Sequence, residues 1–394
     1  MAVKELISDD LTEFKKEETI LKALSPKSHL HLIKLLATYK HNRKYNLMFP
    51  YADSNLRKYW EDRPHPSFDE PTVVWSLKQL AGIADALLLI HNFKTTYPLS
   101  PIDGKARLQG GARLSVREGE ELFGRHGDIK PENILWFKKT PEIDDGMGVL
   151  QIADFGLGRF HGRDSRSGIS PTGIFSSPTY EPPECKLHKS VSRSYDIWSL
   201  GCIFLEFVTW LLKGSDEVIR FGQLREKPLS RSSKEFNEDN FFTIVGGGSK
   251  AVVRKDVIDW VSQLHEDEKC SDLIHDLLDL TMEKLLVPES EGRIQAKELY
   301  EKLKEYEKKA ESDKLYLLAP MPRSPESIPP ALGSLRTHPN KNVTFSGLGD
   351  ILPPAGTGSE SPPDSLLRNS GTPGLLPRNP GTWPPDRGDN KQRS

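Results

Sequence analysis

His126-Gly127-Asp128-Ile129-Lys130-Pro131-Glu132-Asn133, followed by the apolar run Ile134-Leu135-Trp136-Phe137, is the stretch on which the reading of this chain turns. Within eight residues it places an imidazole, two carboxylates, an ammonium group and a primary amide, with a glycine just before the first carboxylate. The apolar run predicts a short strand. Twenty-one residues after Asn133 comes Asp154-Phe155-Gly156, itself preceded by a second short run with strand character, 149–152. The two runs predict a strand pair, which would return Asp154 to the same edge as Asn133.

Transfer of a phosphoryl group has specific requirements. A carboxylate must accept or orient the proton of the attacking hydroxyl. A second carboxylate and an amide oxygen must hold Mg²⁺ against the phosphates, since hard cations choose oxygen ligands. A cation must neutralise charge on the moving group. Asp128, Asp154, Asn133 and Lys130 supply those four functions in that order. Asp-Phe-Gly alone is a common turn tripeptide; its weight comes from following the longer stretch in register.

Pro182-Pro183-Glu184 and Asp196-Ile197-Trp198-Ser199-Leu200-Gly201 follow downstream. With these in order, the chain resembles the eukaryotic protein kinase family over about residues 1–306. The resemblance implies an α+β, bilobal fold, with a truncated β-rich lobe lacking the Gly-rich hairpin and a mainly helical second lobe. It implies ATP and Mg²⁺ as cofactors and Ser/Thr hydroxyls of a protein as substrate. Asp128 is then the catalytic base, Asn133 binds the second Mg²⁺ and Asp154 the Mg²⁺ that bridges the phosphates. Lys130 is similar to the lysine of serine/threonine kinases. Ser177, seven residues before Glu184, stands where such kinases place a hydroxyl that bonds the catalytic Asp and Lys. Arg293 resembles the late partner of Glu184, and Asp196 the helix carboxylate that bonds the catalytic-loop backbone. His126 is expected to be a packed residue, not a ligand or base. The long insert before His126 and the His-Gly-Asp variant resemble a group of fungal kinases.

Upstream, Ala2-Val3-Lys4 is similar to the end of the strand whose lysine pairs the α/β-phosphates. Glu17 would be its helix partner, with Glu18 as the alternative. Phe49 would guard the back of the adenine site, Pro50 and Ala52 would be the hinge positions facing adenine, and Leu135 would lie against the nucleotide. The family has Arg where this chain has Gly127, and that Arg normally pairs with a phosphorylated activation segment. Activity is therefore expected not to depend on phosphate at Ser165, Ser167, Ser170 or Thr172. No Gly-x-Gly-x-x-Gly precedes Lys4. Two expectations follow: that Met1 is an internal methionine of a longer working protein, or that the chain is a nucleotide-binding or scaffolding pseudokinase.

The remainder of the 394 residues bounds the rest. Lys and Arg number 54 against 56 Asp and Glu, a net charge of -2, which gives no global pull toward nucleic acid or an anionic membrane. No run is read as long and apolar enough for a span, so no membrane insertion is expected. The charged start has no secretory h-region. Three well-separated cysteines, Cys185, Cys202 and Cys270, argue against a disulfide framework or a zinc knuckle and fit a reducing compartment. The expected location is the cytoplasm, with access to the nucleus. Fifteen of the 30 prolines fall in residues 320–394, a Ser-, Gly- and Asn-rich stretch that cannot bury enough apolar surface to offset chain entropy.

The expected organisation is a kinase domain over 1–308, made of an N-lobe remnant 1–50, hinge 50–53, C-lobe 54–308 and an inserted loop 94–124. A Pro-rich disordered tail over 309–394 completes it, with 320–394 offering a surface to a partner that binds proline-rich segments. Strands are expected over 33–38 and 45–49, a helix opening at Asp9-Asp10 and ending before Pro26, and further helices around 77–91, 197–211 and 296–308.

Overall fold

The computed structural model describes residues 1–6, 18, 21–22, 29–42, 44–92, 94–96, 121–143, 146–154, 159–162, 178–226 and 239–323. The fold is mixed α+β, a small strand-rich N-terminal part followed by a helical C-terminal part. Strands β1 (Ala2–Glu5), β2 (Ala37–His41) and β3 (Lys44–Phe49) form an antiparallel sheet in the order β1-β3-β2, with Lys4 opposite Leu47. Asn42 turns β2 into β3 at φ 48°, a left-handed conformation that Asn tolerates because its short side chain can bond locally.

The strand expected over 33–38 begins only at Ala37. Leu32 and Ile33 are both buried, which breaks the period-two alternation a half-buried strand requires. The segment instead lies along a later strand, where the Ile33 N–H donates to the Ile152 carbonyl at 2.9 Å and the Ile152 N–H donates to the His31 carbonyl at 2.8 Å. Of the helix expected over 9–25, Glu18, Leu21 and Lys22 are helical and the rest lies outside the described residues.

The chain continues through β4 (Ser54–Asn55) into α1 (Leu56–Glu61), which starts where the Asn55 side chain accepts from the Lys58 N–H at 2.9 Å. Helix α2 (Glu70–Asn92) follows. Its Gly82 leaves room for the His31 ring, whose Nε2 would lie 2.0 Å from an added Cβ; the small residue is what lets the 29–36 segment press against the helix. The expected inserted loop has strands at both ends: β5 (Lys94–Thr96) pairs with β6 (Glu121–Arg125), and β6 pairs in turn with β9 (Arg159–Gly162). Between β6 and β9, β7 (Ile134–Phe137) and β8 (Val149–Ile152) form the strand pair the two runs predict, with Ile134 opposite Ile152.

The helical part comprises α3 (Pro183–Lys186), α4 (Ser194–Lys213), α5 (Ser215–Arg225), the hairpin β10 (Phe242–Val245) and β11 (Lys250–Val253), then α6 (Lys255–His265), α7 (Asp272–Leu280), α8 (Ala296–Ser312) and α9 (Lys314–Leu318). Helix α4 is its axis: every residue from Tyr195 to Leu212 is buried. Gly201 is small because Leu285 and Leu286 of the turn after α7 close on it, 2.8 and 3.0 Å from where a Cβ would stand.

Two expectations are corrected. Residues 309–323, assigned to the tail, are folded. Helix α8 runs to Ser312, α9 buries Tyr316 and Leu317, and the Met321 and Arg323 N–H groups donate to the carbonyls of Cys270 and His265 at 2.8 and 2.9 Å. Tyr316 and Leu317 supply the apolar anchor that proline counting overlooked. Helices α2 and α4 are also long and apolar enough to cross a membrane by length and composition. Both are largely or wholly buried within the fold, as core helices of a globular domain are. One continuous apolar core joins Leu21 and Leu47 of the N-terminal part to Leu317 at the far end.

Candidate active site

The stretch 126–133 lies between β6 and β7 and is fixed from beneath by α4. Asp196, fully buried in the first turn of that helix, accepts from the His126 N–H at 2.9 Å and the Gly127 N–H at 2.8 Å, and bonds His91 Nε2 at 2.9 Å. Burial alone pushes the Asp196 carboxyl up. The hydrogen bond and charge of His91, with His126 and Arg125, outweigh it and hold the group below the usual carboxylate range. Gly127 sits at φ 82°, where a side chain would be strained. His126 is fully buried, with Nε2 3.0 Å from the Ala153 carbonyl; it is packing, placed to tie the stretch to the residue before Asp154.

Three of the sequence-derived residues meet at Asp128. Its Oδ2 accepts from Lys130 Nζ at 2.8 Å and from Asn133 Nδ2 at 2.9 Å. Asn133 Nδ2 also donates to the Asp128 carbonyl at 2.9 Å, so the amide is oriented with Oδ1 as the atom left for a cation. The Ala153 N–H donates to the Asn133 carbonyl at 2.8 Å, which brings Asp154 next to this group, as the strand pair predicts. Asp154 itself stands at φ 64°, a conformation uncommon outside glycine and concentrated at functional sites. Lys4 reaches across from β1, its Nζ 2.6 Å from Asp154 Oδ1. The donor set is therefore hard oxygen from Asp154 and Asn133 beside two lysines, which fits Mg²⁺ and phosphates.

The other expected positions divide. Glu17, Phe155, Gly156 and Ser177 lie outside the described residues. Glu18 accepts from Thr38 Oγ1 at 2.8 Å and pairs with Lys22 at 2.6 Å. Pro50 and Ala52 fall in the short link between β3 and β4, anchored by the Asp53 N–H donating to the Trp136 carbonyl at 3.0 Å. Leu135 is half-buried on β7, opposite Asn55 and Gln151. Glu184 and Arg293 form a bidentate pair at 2.7 and 2.8 Å, with side chains 3% and 0% exposed.

Beside Lys130 and Glu132 opens a cavity of about 390 Å³ that the sequence reading did not anticipate, lined by Arg57, Thr179, Tyr180, Glu206, Arg225 and Asp239 among others. Glu206, buried on α4, accepts from Tyr180 Oη at 2.9 Å, Arg57 Nη2 at 3.3 Å and Arg225 Nη2 at 3.2 Å. Burial pushes the Tyr180 hydroxyl well above its usual value, with the Glu206 charge adding to it, so it stays a donor. These residues are 19 to 149 positions apart from Glu206 and form no local pattern, so only the fold could assemble them.

The arrangement has the groups that phosphoryl transfer calls for, and comparison with known proteins points the same way. Residues 124–299 match the protein kinase domain family. Cyclin-dependent kinase 4 of Ovis aries is 26% identical over 216 residues, 53% of this chain and 57% of the relative. Cyclin-dependent kinase-like 4 of Homo sapiens is 24% identical over 252 residues, 61% and 54% of the two chains. A serine/threonine-protein kinase of Candida albicans is 39% identical over 93 residues, 21% of this chain and 11% of that one. The chain thus spans little more than half the length of the first curated relatives it matches. Together these matches support a protein kinase domain of the eukaryotic serine/threonine type within this chain.

Proposed function

We propose that this chain transfers the γ-phosphoryl group of Mg-ATP to Ser or Thr hydroxyls of a protein. The observation that carries this reading is the convergence of Lys130 and Asn133 on one oxygen of Asp128 with Asp154 next to them. With Oδ2 taking both bonds, Asp128 Oδ1 is left to accept the proton of an incoming hydroxyl. Lys130 follows the charge that develops on the moving group, and Asn133 Oδ1 and Asp154 would hold Mg²⁺, which supplies charge neutralisation between the phosphates. Lys4 would bond the α/β-phosphates. Catalysis is then positioning and electrostatics, with little covalent work for the protein.

A second reading, a nucleotide-binding or scaffolding pseudokinase, has one observation on its side: Lys4 and Asp154 bond each other, and Mg-ATP must displace that pair. Their side chains are 33% and 46% exposed, and an ion pair so open to water contributes only about 0–1 kcal/mol. Mg²⁺ between a carboxylate and phosphates outweighs that, so the catalytic reading stands first.

Phosphoryl transfer by the parent chain separates the two, with Asp154→Asn as the control. In the catalytic reading ATP affinity loses its dependence on Mg²⁺ and transfer to protein stops, seen by nucleotide titration with and without Mg²⁺ and by label incorporation. If the parent chain binds ATP and transfers nothing, the pseudokinase reading takes its place.

A further inference from the structure

The end of α6, the loop after it and the start of α7 bring together His265, Cys270 and His275, all fully buried. The two Nδ1 atoms are 2.7 Å apart and Cys270 Sγ is 3.5 Å from His275 Nδ1. No local sequence pattern announces this set: the spacing is four residues between successive members, and Cys270 stands far from the other cysteines.

The proton count at this cluster is what gives it meaning. His275 Nε2 lies 2.7 Å from the Met321 carbonyl, so that nitrogen carries the hydrogen and His275 Nδ1 is a bare acceptor. The proton between the two rings therefore sits on His265 Nδ1. That leaves His265 Nε2 bare, facing Asp279 Oδ1 at 3.5 Å, two buried acceptors with no hydrogen between them. Among the described residues neither atom has a hydrogen-bond partner. Such an arrangement is costly in a core where polar atoms are normally satisfied.

We propose that His265 Nδ1, His275 Nδ1 and Cys270 Sγ bind a divalent zinc-type cation. Coordination removes the conflict. One cation displaces the thiol proton, which leaves to solvent, and the His265 proton moves from Nδ1 to Nε2, 3.5 Å from Asp279 Oδ1, where a turn of the ring lets it donate to that carboxylate. Both ligating rings then have their outer N–H on an acceptor, His275 on the Met321 carbonyl and His265 on a carboxylate, which is how metal-bound histidines are usually held. Two nitrogens and a thiolate suit zinc, cobalt or copper more than Mg²⁺ or Ca²⁺. Ring centroids 5.0 Å apart with the Nδ1 atoms at 2.7 Å mean that the two nitrogens point straight at each other. At metal–nitrogen distances of about 2.0–2.1 Å in a tetrahedron the rings part by roughly half an ångström and each turns by about 35°, and the fourth position falls to a solvent-derived ligand. Burial pushes the Cys270 thiol up to about 12 and His265 down to about 3, and lowers His275 as well.

The site would clamp the last folded segment. Met321 bonds both Cys270 and His275, the Arg323 N–H bonds His265, and Arg323 Nη1 bonds Asp279 Oδ2 at 2.8 Å. Metal there fastens residues 319–323, the root of the Pro-rich stretch, to α6 and α7.

The test uses the full chain stripped by chelator and titrated with Co²⁺, then Zn²⁺. One Co²⁺ per chain should bind with a sulfur-to-cobalt charge-transfer band in the near ultraviolet, which an all-oxygen Mg²⁺ site does not produce, and Zn²⁺ should erase it. Cys270→Ser should abolish the band. Asp279→Asn should weaken Zn²⁺ binding by about 10–100-fold, the usual cost of losing an outer partner, and zinc should slow amide exchange at 319–323. If Cys270→Ser does not fold, the band on the parent chain and its loss to Zn²⁺ decide alone. Absence of the band on the folded parent overturns the proposal and leaves a pair of imidazoles sharing one proton.

Discussion

Asp128→Asn should cut phosphoryl transfer by about 10²–10⁴-fold, the scale of a positioned acid–base group, while ATP binding and the fold persist. The asymmetry follows from the geometry. An asparagine oxygen at the place of Oδ2 still accepts from Lys130 and Asn133, which reach it at 2.8 and 2.9 Å, so the stretch keeps its shape. The other atom becomes an NH₂ group, which repels the hydroxyl proton that Oδ1 would accept. Initial rates against a protein substrate, with ATP affinity measured in parallel, read the two halves separately. A variant that transfers phosphate at the parent's rate would assign the activity to another site.

Removing one partner of the buried pair formed by Glu184 and Arg293 should destabilise the domain by about 3–5 kcal/mol, the usual cost of stranding a buried charge. Arg293 makes more than the ion pair: it also donates to the carbonyls of Val287, Ser194 and Pro288 at 2.8, 3.0 and 3.2 Å. Arg293→Met should therefore cost more than Glu184→Gln, which leaves a neutral acceptor in place. The double variant should cost less than the sum of the two, because no lone charge remains. Urea unfolding of the four proteins measures this. Additive losses would mean that the two side chains do not act as a unit.

The parts of the fold legible in the sequence are those with a local pattern. β7 announces itself as an apolar run of four residues and β8 as a short, mostly apolar partner, and α4 as a largely apolar helix. The convergence of Asp128, Lys130 and Asn133 was legible because all three lie on one short turn. What escaped depends on distant chain meeting distant chain. Leu32 and Ile33 look like strand residues until β8 lies beside them. Tyr316 and Leu317 look like the start of a proline-rich tail until α2 and α8 receive them. The cavity around Glu206 joins residues up to 149 positions apart, whereas the cluster at His265 is close in sequence and shows itself only when α6 and α7 fold its two histidines together.

Asp196 carries one more consequence, in the currency of time. By holding the His126 and Gly127 amides from within α4, the most buried helix of the domain, it denies the catalytic stretch any private unfolding. Those amides can meet solvent only when the helix beneath them lets go, so they belong to the slowest-opening cooperative unit of the chain. Lys4 is held differently, on an edge strand and in a partly exposed ion pair with Asp154. In the proposed kinase, opening and closing over the site would then fall to the strand side, above a floor that stays still.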